Sequence, residues 1–146
     1  TVDVDAFVDA ARKDEIDRLL AAQFELVSIG RFHSKFRQAD VEIDILYGGA
    51  SAEDFALGSA RDAVILGTNV KVPSPEALLW LYLVSTNEQN FVDALGLIRS
   101  VERLDLALVR KQLELHQPEL LGKLDKLVTT AREPAPSYEE SRAGRA

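Results

Sequence analysis

The sequence predicts an α+β fold: a small mixed, mostly antiparallel sheet with helices, followed by a helical C-terminal half. Three observations carry this. The stretches "RFHSKFR" and "VEIDILY" alternate charged and apolar residues with period two and are joined only by "QAD", the pattern of an antiparallel hairpin. The opening stretch "TVDVDAFV" has the same period and is rich in β-branched and aromatic residues. From residue 74 onward, apolar residues recur instead at helical spacing behind capping residues.

Taken in order, "TVDVDAFV" is a strand, and from Lys13 to Ala22 the residues Ile16, Leu19 and Leu20 make a helical stripe. "FELVSIG" is a second strand, stopped by Gly30. In "RFHSKFR", Arg31, His33, Lys35 and Arg37 share one face and Phe32, Ser34 and Phe36 the other. In "VEIDILY", Glu42 and Asp44 oppose Val41, Ile43 and Ile45. If residue 37 faces 42, then Lys35 faces Asp44 and Phe36 faces Ile43, which puts every charge on one face and every apolar residue on the other. "GGASAEDFALGSARDAVILG" reads as loop, short helix and loop, and "NVKVPS" as a final short strand ending at Pro73.

The rest is helical. Ser74 is an N-cap with Pro75 at the first helical position, leading into "EALLWLYLV", whose Trp80 and Tyr82 read as core. Asn87 starts a second helix with Phe91, Leu95 and Ile98 as its stripe, and Asp105 caps a third, "LALVRKQLELH". His116 at the end of that helix serves its dipole. Pro118 opens a fourth, with Leu121, Leu124 and Val128 facing inward. "REPAPSYEESRAGRA" has little to bury and is expected to be disordered. The expected organisation is one domain over 1–131, with a sheet-containing part at 1–73, a helical part at 74–131, and a tail at 132–146.

The composition narrows the function. A chain of 146 residues with 47% hydrophobic and 28% charged residues is long enough to bury a real core. Its formal net charge of −7 argues against broad coating of nucleic acid, which needs clustered positive charge. With no Cys, thiolate metal sites, disulfides and thiol nucleophiles are excluded, and two His make a histidine-built zinc site a poor fit. The longest apolar run, "ALLWLYLV", falls far short of the ~20 residues that span a bilayer, and no secretory signal pattern precedes it. A cytoplasmic protein without membrane attachment is expected. The absence of Met, even at position one, implies that Thr1 is not the translation start.

The chemistry concentrates in three acids. Asp3 and Asp5 stand on one face of one strand, about 7 Å apart by strand rise, and Asp44 joins them if its strand is a neighbour. Carboxylates converging on a sheet face repel one another unless a cation is present, and hard oxygen ligands are what Mg²⁺ prefers. Two ions held by shared carboxylates are a known device for in-line displacement at phosphorus. Acids also alternate on the solvent face of many antiparallel strands, so spacing alone leaves both readings open. The basic residues Arg31, His33, Lys35 and Arg37 are equally two-sided. They can hold a triphosphate or an RNA backbone beside Asp44, or they can pair across strands, Lys35 with Asp44 and Arg37 with Glu42. His33 taken alone reads as an exposed polar residue rather than a general base.

"TVDVDAFV", followed about forty residues later by "VEIDILYG" and then by "VKVPSPEALLWLYLV…NFVDALGLI", resembles the nucleotidyltransferase-like fold over roughly residues 1 to 100. The similar branch is the small bacterial group that includes abortive-infection and toxin–antitoxin nucleotidyltransferases. In that family an acid–x–acid pair, often preceded by Thr, and a third acid on a later strand bind two divalent metals that activate a nucleoside triphosphate. The resemblance implies Mg²⁺ as cofactor and Asp3, Asp5 and Asp44 as metal-holding catalytic residues, with Asp44 also helping to deprotonate the acceptor. It implies Thr1, Lys35 and Arg37 as substrate-binding residues. The acceptor would be a hydroxyl of RNA, protein or a small molecule.

The sequence also departs from the family's pattern. The Gly-Gly or Gly-Ser turn that holds the triphosphate belongs upstream of the acid pair, and the chain begins at Thr1. The Gly pair of "YGGASAEDF" follows the third acid and reads as a plain turn at Gly48 and Gly49. Tyr82 stands where relatives usually carry Lys, and Asn90 and Asp93 stand where they tend to have Asp-x-x-Asp. These departures open an alternative: a truncated or catalytically degenerate nucleotidyltransferase fold acting as a protein-binding antitoxin or regulatory module. Its helical half would offer the interface, to a protein partner or a second copy.

Overall fold

Alternation of charge sets the pairing of the first half. A computed structural model describes residues 2–133, so Thr1 and positions 134–146 of the predicted tail lie outside the described residues. Four strands, β1 (Val2–Asp9), β2 (Glu25–Ile29), β3 (His33–Gln38) and β4 (Val41–Gly48), form one sheet in the order β1-β4-β3-β2. β1 runs parallel to β4, and the other two pairings are antiparallel, so the sheet is mixed and mostly antiparallel as predicted. The β3–β4 hairpin has the predicted register, with Arg37 opposite Glu42, Phe36 opposite Ile43 and Lys35 opposite Asp44.

One sheet face is apolar and is covered by helix α1 (Lys13–Ala21). Phe36, Ile45 and Tyr47 are buried, and Ala6, Val8, Ile16, Leu20, Phe24 and Ile43 pack against them. Leu19, expected in the α1 stripe, is 48% exposed. The inward face of α1 instead combines Ile16 and Leu20 with a buried carboxylate, Asp17. Asp17 accepts hydrogen bonds from the Lys13 ammonium and the Tyr47 hydroxyl. Lys13 also donates to Ser34 Oγ at 3.2 Å and lies 4.5 Å from the centre of the Tyr47 ring. Burial, and then the Asp17 carboxylate, push the Tyr47 hydroxyl up to about 12, so it remains a donor at any ordinary pH.

Helix α2 (Ser51–Gly58) follows β4, and strands β5 (Arg61–Ile65) and β6 (Thr68–Val72) then pair with each other in a separate antiparallel hairpin. The segment "RDAVI", read from sequence as loop, is therefore a strand. Its turn is closed by Leu66 and Gly67, both at positive φ (50° and 77°), the geometry of a type I′ hairpin turn. Leucine rarely adopts that conformation, so "LG" carries little turn signal. Burial does not reveal the strand either, since Val64, Ile65 and Leu66 are all exposed.

The chain divides into two units, Thr1–Ala77 and Leu78–Ala146, the boundary falling inside helix α3 (Pro75–Val84). The caps predicted from sequence are present. Ser74 Oγ accepts the Ala77 N–H at 3.2 Å, Asn87 starts α4 (Glu88–Ser100) by accepting the Gln89 N–H at 2.9 Å, and Asp105 starts α5 (Leu106–His116) by accepting the Leu108 N–H at 2.9 Å. Pro118 opens a short 3-10 turn that leads into α6 (Leu121–Arg132), where Leu124 and Leu127 are buried and Leu121 and Val128 half-buried.

Within the second unit, Trp80 is buried as expected, while Tyr82 is half-buried. The Trp80 indole N–H donates to Gln117 Oε1 at 2.7 Å, and the His116 ring stacks on it at 5.8 Å. Two cations complete helix ends. Lys123 Nζ donates to the carbonyls of Leu83 and Ser85 (2.7 and 2.6 Å) at the end of α3, and Arg99 donates to those of Thr130 and Ala131 at the end of α6. Among the described residues no helix is long and apolar enough to cross a membrane.

Candidate functional site

The face of the sheet opposite α1 carries the predicted acids. Side chains two apart share a face, so Asp3 and Asp5 project from β1 on the same side as Glu42 and Asp44 from β4. The parallel register sets Asp5 directly beside Asp44 and Asp3 directly beside Glu42. Neighbouring strands lie about 4.8 Å apart, so the acids of β1 and β4 form a patch of like charge. Thr1, predicted to bind substrate next to this pair, lies outside the described residues.

The next strand supplies the compensation. Asp44 Oδ1 lies 2.7 Å from His33 Nε2, and since a carboxylate only accepts, the ring N–H donates. Asp44 Oδ2 lies 3.4 Å from Lys35 Nζ. Lys35 also donates to Glu42 Oε2 at 3.2 Å, and Arg37 donates to Glu42 Oε1 at 2.8 Å. His33, read from sequence as an isolated exposed residue, is thus half-buried and bonded to the third acid. Sequence spacing could have suggested this, because His33 is two residues from Lys35, which faces Asp44. The hydrogen bonds from Lys35 and Arg37 hold Glu42 below the usual carboxylate range, and the bond to Glu42 raises Lys35.

Asp3 and Asp5 are different. Neither has a hydrogen bond or ion pair among the described residues. Asp5 still reaches solvent, yet partial desolvation, and then the charges of Asp44 and Asp3, raise its carboxyl above its ordinary value against the weaker pull of Lys35 and His33. A carboxyl raised on folding favours the protonated form. Its contribution to stability is full at low pH and is lost as pH rises through the raised value. At neutral pH, ionised Asp5 is therefore a local liability that a cation on this face would relieve.

The structure brings Asp5 and Asp44 side by side and keeps Asp3 two residues along the same strand. Among the described residues, no three acid or histidine side chains stand as a ready metal-ligand set. Asp44 gives its oxygens to His33 and Lys35. As donors, the three carboxylates are of the oxygen type that a hard divalent ion such as Mg²⁺ prefers.

A cavity of about 480 Å³, lined by Phe7, Phe32, Leu46, Tyr47, Gly49, Ala50 and Glu53, opens at the end of this face. Phe7 and Leu46 are register partners two residues beyond Asp5 and Asp44, on the same face. Phe32, predicted to join the apolar face with Ser34 and Phe36, precedes β3 and is 62% exposed, under the Arg31 guanidinium at 4.9 Å. Gly48 permits the approach of α2, because a Cβ there would lie 2.8 Å from the Glu53 Cβ. Gly48, expected in a turn, is instead the last residue of β4, and the chain leaves the strand at Gly49 and bends at Ala50 into α2, an arrangement that the local pattern around Phe7, Phe32 and Glu53 does not announce.

No protein-family model matches the sequence, and no curated protein matches it.

Proposed function

We propose that the chain is a nucleotidyltransferase-like domain that transfers a nucleotidyl group from a nucleoside triphosphate to a hydroxyl of RNA, protein or a small molecule, as part of a toxin–antitoxin type system. The observation that carries this reading is the parallel register of β1 and β4, which sets Asp5 beside Asp44 with Asp3 on the same face. The order of the motifs "TVDVDAFV", "VEIDILYG" and "VKVPSPEALL" supports it. Asp3, Asp5 and Asp44 would hold Mg²⁺, which when bound supplies charge neutralisation at phosphorus. Lys35 and Arg37 would turn to the triphosphate, and Asp44 would help to accept the proton of the attacking hydroxyl.

A second reading has its own observation. Asp44 and Glu42 are already compensated by His33, Lys35 and Arg37, so much of this face is stable without a cation. A degenerate domain serving as a protein-binding antitoxin or regulatory module would look this way, and the exposed apolar tip Val64–Leu66 would suit a protein contact.

Thermal unfolding with and without Mg²⁺ separates the two. A site filled at ten times its Kd stabilises by about 1.4 kcal/mol, a rise of roughly 3–6 °C for a chain of this size. The transferase reading expects that rise in the native chain and its loss in Asp44→Asn. An unchanged melting temperature favours the binding module.

A further inference from the structure

We propose that a second copy of the chain pairs along strand β6, antiparallel about a twofold axis at Val70, joining the two β5–β6 hairpins into one four-stranded sheet. The inference gives the exposed tip of the hairpin an occupant and needs neither reading of the carboxylate face. Three observations lead to it.

The first is an incomplete sheet. Among the described residues β5 and β6 pair only with each other, and a two-stranded ribbon is marginal in water unless further strands or a helix support it. Ala63, Val70 and Val72 on one face are half-buried, but Ile65, nearer the tip on that face, is exposed. The second is the apex. Leu66 is fully exposed and held at positive φ (50°), where Gly or Asn would sit without strain. An aliphatic side chain that carries both costs is not explained by contacts within one copy. The third is an open backbone edge. Ile65 and Thr68 close the two-residue turn as a hydrogen-bonded pair, so alternation turns the N–H and C=O groups of Asn69 and Lys71 outward. Among the described residues those groups have no hydrogen-bond partner.

The sequence of β6 fits itself. Centred on Val70, the pairing sets Asn69 of each copy opposite Lys71 of the other, so the outward backbone groups of both strands are satisfied. Val70 then faces Val70 and Thr68 faces Val72, which are favourable β-branched pairs. No like charges meet, because Asn69 is neutral and Lys71 Nζ is drawn back onto Asp62 at 2.9 Å. Pro73, which has no N–H, ends the pairing, and each tip reaches past Val72 of the other copy. The other open edges fit a second copy worse. On β1, a pairing centred on Val4 or Ala6 sets Asp3 against Asp5 or Asp9. β2 is broken by the bulge between Leu26 and Ser28, a feature that guards an edge. On β5, the outward residue Asp62 would be set beside Val64 of the second copy.

The test is sedimentation equilibrium of the intact chain over a concentration series, with cross-linking through single introduced cysteines, since the sequence has none. An interface of this modest size is expected to give a reversible dimer with a Kd of about 10 μM. Asn69→Lys sets like charges opposite each other in both outer pairs and should weaken the dimer about tenfold. Leu66→Asn suits the turn, so it should not lower the melting temperature of the dilute monomer, while the dimer weakens about fivefold. Under mild oxidation Val70→Cys should link two copies across the axis, where facing Cα atoms lie about 4.5 Å apart. Val64→Cys, ~14 Å from its mate across three strand spacings, should not. If Val70→Cys does not fold, Asn69→Lys at an exposed position carries the test. A chain that stays monomeric to roughly 500 μM overturns the proposal. So does a dimer left unchanged by Asn69→Lys or by Leu66→Asn, or one that Val64→Cys links as fast as Val70→Cys.

Discussion

Replacing Phe36 with alanine is expected to destabilise the first unit by about 3–5 kcal/mol. Phe36 is 0% exposed and sits at the centre of the sheet's apolar face, between Ile45, Tyr47 and the underside of α1. Removing the ring takes away its transfer free energy and leaves a cavity that strands fixed on both sides by hydrogen bonds cannot close. The same residue lies between Lys35 and Arg37, so loosening β3 should also disorder the basic partners of Asp44 and Glu42. The single tryptophan, Trp80, belongs to the second unit, and its fluorescence is a poor reporter of this change. Amide hydrogen exchange at Ile43 and Ile45 reads it directly. A loss of protection worth less than about 1.5 kcal/mol would mean that this face is not the core of the unit.

Asp17→Ala is the second large effect, at about 2–3 kcal/mol near neutral pH. The substitution leaves the Lys13 ammonium and the Tyr47 hydroxyl without their shared acceptor beneath the sheet. Burial by itself would raise the Asp17 carboxyl, but the hydrogen bonds from Lys13, Tyr47 and Ser34 outweigh it and hold the group below its ordinary value of 3.8. A carboxyl lowered on folding contributes stability that is present above the ordinary value and lost as pH falls through the lowered one. Urea denaturation should therefore show the native chain and Asp17→Ala far apart at pH 7 and converging as pH falls below the ordinary carboxylate range. A gap that does not narrow in acid would show that Asp17 acts by its volume and not by its charge.

These two residues also mark what could be read from the sequence. Phe36 was legible because period-two alternation around it assigns faces without knowledge of the fold, and the hairpin register followed from keeping Lys35 opposite Asp44. The capped helices were legible because Ser74, Asn87 and Asp105 act on backbone N–H groups within their own first turn. Asp17 was not legible, because an acid in a helical stripe looks solvent-facing until Tyr47, thirty residues away, is placed over it. The strand at Arg61–Ile65 was hidden by its exposed apolar tip and by a leucine in the left-handed turn. In the site, the juxtaposition of Asp5 and Asp44 required the parallel pairing of β1 with β4, which local pattern cannot supply. The bond from His33 to Asp44 and the pocket at Glu53 depend on that same non-local arrangement.

We propose that Asp3, Asp5 and Asp44 together form a cation site on the sheet face. Titration of the chain with Mn²⁺ as a paramagnetic substitute for Mg²⁺, followed by the loss of the free-ion electron paramagnetic resonance signal, tests it most directly. Saturable uptake of one or two ions per chain is expected, competing with Mg²⁺ and abolished in both Asp5→Asn and Asp44→Asn. Undiminished free-ion signal in the native chain, or uptake that survives both substitutions, would contradict it.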